Sequence, residues 1–502
     1  MMETKRGKAD GAYDRIVKYT GVFGGVQGLV TLMTIVRTAL VSRLLGTAGF
    51  GINESFNRTL NLVKSTTDLG LSFSAVRKIS EYVEQDDRAS LERSVLTVRS
   101  WALLTAVLGM LVCVLLAPLF SLWAFDGDAG YTLSFVLLSP VVAASAINGG
   151  EMAILKGARK LSQIALSQLL VVGCTFVISI PIFWYFRLSG LVLSLVLVSV
   201  ASAMVTCFFS FRSFPYRVSF LDRNVLRNGL DMIKLGVFFT IAAFFGSGAL
   251  SAVANYLMTH GGAEVVGAYG AGYLLVSYLG MFVFSAMEAD YFPRLSSVNA
   301  EKRAVNVLAN RQVEVALLLM APMVAIFMAC LPLIVNVFLS ARFADAIPMT
   351  RIAVLSLVFK AATQPLAYIS RAKGDSRTFL LQEVLYDLFI VLAVIVCFNL
   401  GGLKLTGLAL LASGAFDMIV VGTVTAVRYG FRYSWRAFKV MAVQGVLLTC
   451  LYLCDGFLRT PWSGILEFFV AMASAGYSVW ILQSHTAFLQ TFLEKIKRRL
   501  KR

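Results

Sequence analysis

Apolar runs of about twenty residues recur along the chain, separated by short polar or basic connections. They fall near 17–42, 52–75, 97–122, 131–155, 163–186, 189–211, 235–258, 265–289, 313–338, 348–370, 378–398, 405–427, 438–454 and 462–482. A helix rising about 1.5 Å per residue needs roughly 20 apolar residues to cross a hydrocarbon layer. The pattern therefore predicts an all-α polytopic membrane protein with about fourteen transmembrane helices. Span 2 is the least apolar, because it contains Glu54, Arg58, Lys64 and Asp68.

The basic residues orient these spans. Counting also Lys18, Arg99 and Lys439 just inside the adjoining span ends, the N-terminus carries five Lys or Arg, the connections after spans 2, 4, 6, 8, 10 and 12 carry 5, 3, 5, 4, 3 and 4, and the C-terminal tail carries six. The alternate loops hold only Arg43, Arg187, Arg342, Lys404 and Arg459. Lys and Arg accumulate on the cytoplasmic side, so both termini are expected there. The longest connections, near 76–96 and 290–312, leave no room for a soluble catalytic domain.

Composition agrees with this picture. The chain is 58% apolar and 15% charged, against about 25% charged in soluble domains, which excludes a disordered or ordinary water-soluble protein. The net charge of +17 is carried by clusters between apolar runs and reads as a topology signal, not a nucleic-acid footprint. Seven cysteines lie within apolar runs without CxxC spacing, and Cys450 and Cys454 are one helical turn apart; they read as small packing residues. The first apolar run is too long for a signal-peptide core, and nothing suggests its removal. His260 and His485 lie in an outer loop and the tail, and no GxxxxGK[ST] loop is present, so no metal site, cofactor or ATP hydrolysis is expected. The tail at 486–502 is basic after an apolar face and is expected to rest on anionic lipid.

Two halves resemble each other in order. Ile16-Val17-Lys18 matches Met232-Ile233-Lys234, Gly49-Phe50-Gly51 matches Ala268-Tyr269-Gly270, Pro118-Leu119-Phe120 matches Pro332-Leu333-Ile334, and Lys156-Gly157 matches Lys373-Gly374. Six spans per copy make the copies parallel, related by a pseudo-two-fold along the membrane normal. The expected organisation is an N-terminal lobe at 1–212, a cytoplasmic linker at 213–234, a C-terminal lobe at 235–430, two extra helices at 431–485 and the tail.

A charge in hydrocarbon is costly and normally faces a wet cavity or a partner. Glu54, Arg58, Asn61, Ser65 and Asp68 follow helical spacing on one face of span 2, with Lys64 on its flank, a stripe about 21 Å long. Such a stripe either lines water or, as Glu54 and Arg58 are an i, i+4 pair, neutralises itself. Arg37 either enters the same cavity or snorkels to the interface. In the second half Lys360 and Gln364 lie one turn apart in span 10, where Lys360 either lines a cavity or pairs with Glu383 or Asp387. Arg351 reads as interfacial. Glu54, Asp68, Glu151, Glu383 and Asp387 are candidates for ion coupling or for pairing, and Tyr269 and Tyr273 share a face of span 8 that suits sugar rings or packing.

The segment Val41-Ser42-Arg43-Leu44-Leu45-Gly46 with Gly49-Phe50-Gly51 resembles a junction found in the polysaccharide-exporter branch of the multidrug/oligosaccharidyl-lipid/polysaccharide (MOP) superfamily, and Leu155-Lys156-Gly157 with Gln163 and Gln168 is similar to the same family. The resemblance implies two six-helix lobes around a cavity open alternately to each side, in the bacterial inner membrane. It also implies a Wzx-type flippase that moves undecaprenyl-diphosphate-linked oligosaccharide to the periplasmic leaflet, without being an enzyme, beside glycan polymerase and glycosyltransferase partners. The family supplies no invariant catalytic residue. On this reading Arg37, Arg58, Lys64, Lys360 and Gln364 form a cationic substrate site. A drug or cation antiporter of the same fold would instead present carboxylates, and a membrane glycan polymerase or ligase would need larger outer loops.

Overall fold

The computed structural model describes residues 3–220, 222–298, 300–457 and 462–485, and every long element among them is helical. The basic tail lies outside the described residues. Among the described residues nine helices are long and apolar enough to cross a membrane, and a shorter apolar one runs from Leu466 to Ile481.

Four of the nine are double-length, each broken between two consecutive expected spans. Gly46 at φ 71° separates span 1 from span 2, Gly262 at φ 77° separates span 7 from span 8, and Gly401 and Gly402 separate span 11 from span 12. A left-handed residue reverses the chain in one step, which glycine allows without a Cβ clash. Between spans 5 and 6 the break is the 3₁₀ turn Arg187–Gly190. Dividing these four and adding Trp462–His485 gives fourteen helical segments in the expected order.

The described residues form two compact units, one within 3–267 with 338–340, the other within 268–337 with 341–485. In the first unit span 2 ends at residue 67, short of the expected 75, because Leu69 and Gly70 turn left-handed at φ 52° and 69°. The chain then forms a connecting helix, Leu71–Glu84, in place of much of the expected 76–96 loop. Its apolar face, Leu71, Ala75 and Ile79, packs on Val95, Val98 and Ala102 of span 3 and Ile154 of span 4. The seventh span also packs in this unit, and the expected 213–234 linker is helical from Arg223 onward.

Spans 2 and 7 run antiparallel in close contact. Gly70 meets Gly236 at one end, Leu62 meets Gly248, Ser251 Oγ donates to the Arg58 carbonyl at 2.9 Å, and Gly51 meets Ala263 at the other end. Two helix backbones come this close only where side chains are missing.

In the second unit spans 13 and 14, Trp435–Phe457 and Trp462–His485, pack on span 9. They are fastened to each other by Gln444, which donates to Ser478 Oγ at 2.9 Å and to the Ser474 carbonyl at 3.3 Å. Arg351, expected at the lipid interface, is instead buried beside Glu467 of span 14 at 3.7 Å. Span 14 brings that carboxylate to span 10.

Candidate substrate cavities

Each unit contains a polar cavity inside its helices. In the first, about 430 Å³ is lined by Arg58, Asn61, Lys64, Ser65 and Asp68 of span 2, with Ser145 and Gly149 of span 4 and Ser247 and Leu250 of span 7 facing them. The i, i+3, i+4 stripe read from sequence thus turns one face to open space, because opposite it stand serines and a glycine. A Cβ on Gly149 would lie 2.9 Å from Ser72 Oγ, the hydroxyl that donates to Asp68 Oδ1 at 2.7 Å.

Charge in this cavity is partly compensated. Arg58 Nε lies 3.4 Å from Glu54 Oε2, so the i, i+4 pair forms while Arg58 still lines the cavity. Lys64 and Asp68 are the other charged lining residues, which leaves the wall with two cations and one carboxylate. Arg37 is placed elsewhere: its Nε donates to Ser179 Oγ of span 5 at 3.0 Å.

The second unit's cavity, about 270 Å³, is lined by Tyr273 and Ser277 of span 8, Ser356, Lys360 and Gln364 of span 10, and Tyr386 of span 11. Lys360 Nζ stands 5.1 Å from the centre of the Tyr386 ring, a cation–π distance. Asp387 and Asp417 are within electrostatic reach of this ammonium, outside the lining. Glu383 pairs instead with Arg371 at 3.0 Å, and Asp387 is buried with Oδ2 unpartnered among the described residues. Tyr273 reaches the cavity, whereas Tyr269 is 2% exposed and packs behind it with ring centroids 6.2 Å apart.

The structure therefore brings together Arg58, Lys64 and Asp68 in one cavity and Lys360, Gln364 and Tyr273 in the other. The first is built on spans 2 and 4, the second on spans 8 and 10, which are equivalent in the repeat. Glu151 belongs to neither set. It is buried against Arg99 of span 3, with Arg99 Nε to Oε1 at 2.9 Å and Arg99 Nη2 to Oε2 at 3.2 Å, and it accepts a hydrogen bond from Ser210 of span 6. A matching tie outside the membrane fastens spans 11 and 12, where Asp375 accepts from Thr378, Arg428 and Tyr429. Burial pushes the Asp375 carboxyl up, but these hydrogen bonds outweigh it and hold the group below its usual range.

Sequence reading missed Tyr386 and Asp417. Asp417 is the sole ionisable residue of the run 405–427, a signal of the kind that marked Lys360. Tyr386 carried no such mark, because its role comes from the register of span 11 against span 10.

Comparison with known proteins places this architecture. An inward-facing multidrug resistance MATE family transporter of the MOP superfamily superposes with a TM-score of 0.66 at 16% identity, covering 80% of this chain and 94% of that one. The lipid II flippase MurJ, in an inward closed conformation, superposes with a TM-score of 0.69 at 12% identity, covering 92% of this chain and 99% of MurJ. A MOP superfamily transporter from Pyrococcus furiosus Vc1, described as having a binding pocket of reversed polarity, gives 0.58 at 18% identity, covering 83% and 95%. No curated protein matches the chain in sequence. The chain thus shares the fold of these membrane transporters. Residues 16–299, more than half of the chain, match the model of the polysaccharide biosynthesis protein family, and the chain belongs to that family.

Proposed function

We propose that the protein is a flippase that carries undecaprenyl-diphosphate-linked oligosaccharide from the cytoplasmic to the periplasmic leaflet of a bacterial inner membrane by alternating access, for cell-surface polysaccharide synthesis. All fourteen segments cross the membrane with both termini cytoplasmic, and the repeat copies are 1–212 and 235–430. Transport involves no covalent step. Arg58, Lys64 and Lys360 attract the diphosphate, Gln364 hydrogen-bonds it, and Tyr273 meets a sugar ring. The glycosyltransferases and polymerase of the same pathway are its partners.

The observation that carries this reading is the sign of charge at the two cavities. Among the described residues both linings present more Lys and Arg than carboxylates, with Glu54 paired to Arg58 beside the first and Asp387 and Asp417 near Lys360 outside the second. Arg and Lys donors match phosphate oxygens without a metal, and the ligand's negative charge offsets the cost of keeping cations at membrane depth. A cation antiporter needs the opposite lining, and among the described residues Asp68 is the one carboxylate that lines either cavity.

Deletion from its host tests this. The expected result is loss of surface polysaccharide, with lipid-linked oligosaccharide accumulating in the cytoplasmic leaflet. Normal surface glycan together with new sensitivity to cationic drugs would replace this reading by the antiporter.

A further inference from the structure

Each unit carries a second, larger concavity at the ends of its helices. In the first it measures about 750 Å³ and lies between the start of span 3, the end of span 4 and the chain leaving span 6. In the second it measures about 720 Å³ and lies between the start of span 9, the chain leaving span 12 and Ile481 of span 14. Span 3 corresponds to span 9 and span 6 to span 12, so the same place in the repeat is hollowed twice.

Both mouths are held open by buried polar side chains. The chain leaving span 6 reads Phe214-Pro215-Tyr216 and the chain leaving span 12 reads Phe431-Arg432-Tyr433. Arg99 donates to the Phe214 and Pro215 carbonyls at 3.1 and 2.7 Å. In the second unit Asn310 donates to the Arg432 carbonyl at 2.9 Å and accepts from the Ser434 amide at 2.6 Å.

The linings are basic and partly apolar. Arg88, Arg93 and Arg217 face one pocket, with Glu92 its single acid. Arg303, Arg311, Arg432 and Arg436 face the other, where the single acid, Glu314, accepts from Ser434. All seven arginines are exposed, and none of them forms an ion pair among the described residues. Leu96 and Phe214 line the first pocket, and Val307 and Val315 the second. Topology signalling alone accounts for basic residues near helix ends. It does not account for their convergence on two concavities walled by several helices, each with an aliphatic side.

We propose that these two pockets bind the phosphate headgroups of anionic phospholipids. Arginine forks match phosphate oxygens bidentately, basic recesses between helices at the cytoplasmic face take such headgroups, and the aliphatic wall accompanies the start of the acyl chains. The site is independent of the cavities above and of the transport reading.

Native mass spectrometry of the full chain in mild detergent tests it, with phosphatidylglycerol or phosphatidylcholine as probe. The wild type is expected to retain two phosphatidylglycerol molecules, at least tenfold in preference to phosphatidylcholine. R93Q/R217Q and R311Q/R436Q should each retain one, and their combination none above the phosphatidylcholine level, while Lys at all four positions, which keeps the charge but loses the fork, restores part of the retention. Since these side chains are exposed, thermal unfolding of the combined variant should match the wild type. Equal retention of both lipids, or undiminished phosphatidylglycerol on the combined variant, would overturn the proposal. So would displacement by millimolar inorganic phosphate, which would make these free-anion sites.

Discussion

Glu151 and Arg58 show how differently two ionisable residues can sit at membrane depth. Glu151 accepts from Arg99 and Ser210, and Arg99 in turn donates to the chain leaving span 6, with side chains of 4% and 1% exposure in the ion pair. Removing one partner of such a pair leaves an uncompensated buried charge at a cost of about 3–5 kcal/mol, whereas replacing both by apolar residues costs far less. Arg99→Leu and Glu151→Leu should therefore each lower the unfolding temperature in detergent strongly, and the double variant should recover most of the loss. A double variant as unstable as the sum of the singles would mean that the ion pair is not what holds these helices. Sequence could mark Glu151 as a buried acid but could not choose its partner, since Arg99 lies 52 positions away. Arg58 was legible in both of its roles, because the pair with Glu54 and the stripe down to Asp68 are local to one helix. The surroundings of Lys360 were legible in part: Gln364 is one turn away and Asp387 of span 11 stood among its expected partners, but Tyr386 and Asp417 were not read.

At the scale of elements, the helices were readable almost to their ends, since apolar length is a property of the local sequence. The departures occur where tertiary contact or backbone geometry intervenes, as in the left-handed turn at Leu69 and Gly70 that stops span 2 early. Gly70 is doubly constrained, with φ at 69° and a Cβ that would lie 2.5 Å from the Gly236 carbonyl. A strained left-handed residue costs about 1–3 kcal/mol, and the backbone contact adds to it. Gly70→Ala should accordingly destabilise the protein in a thermal unfolding assay. Gly445→Ala, with nothing within 4 Å of the new methyl, should leave it unchanged or slightly more stable. Equal effects of the two would remove the close approach of spans 2 and 7 as a source of stability. That approach was not readable beforehand, because glycines at 51, 70, 236 and 248 stand on helices that sequence assigned to different halves.

For the whole molecule, the basic-residue asymmetry makes a labelling prediction. Cysteines introduced at the exposed positions Asp86 and Asn224 should react with an impermeant thiol reagent only from the cytoplasm, and ones at the exposed Gly127 and Asp345 only from the periplasm. Reaction of Asn224 and Gly127 from the same side would contradict fourteen crossings. The repeat was visible in four short landmarks, and the structure adds that repeat-equivalent helices enclose a cavity in each unit, although the charges fall at unrelated positions: on span 2 in one copy and on span 10 in the other.

The central claim is that cationic cavities carry a diphosphate-linked lipid, and translocation of lipid-linked oligosaccharide in reconstituted vesicles tests it most directly. Arg58→Gln and Lys360→Gln keep hydrogen-bonding capacity while removing charge. Each is expected to lower the initial rate at least tenfold with unchanged membrane insertion, and Arg58→Lys should retain part of the activity because it keeps the charge but loses the fork. Wild-type rates in both Gln variants would contradict the account and turn attention to Asp68, Asp387 and Asp417 as the groups that bind cargo.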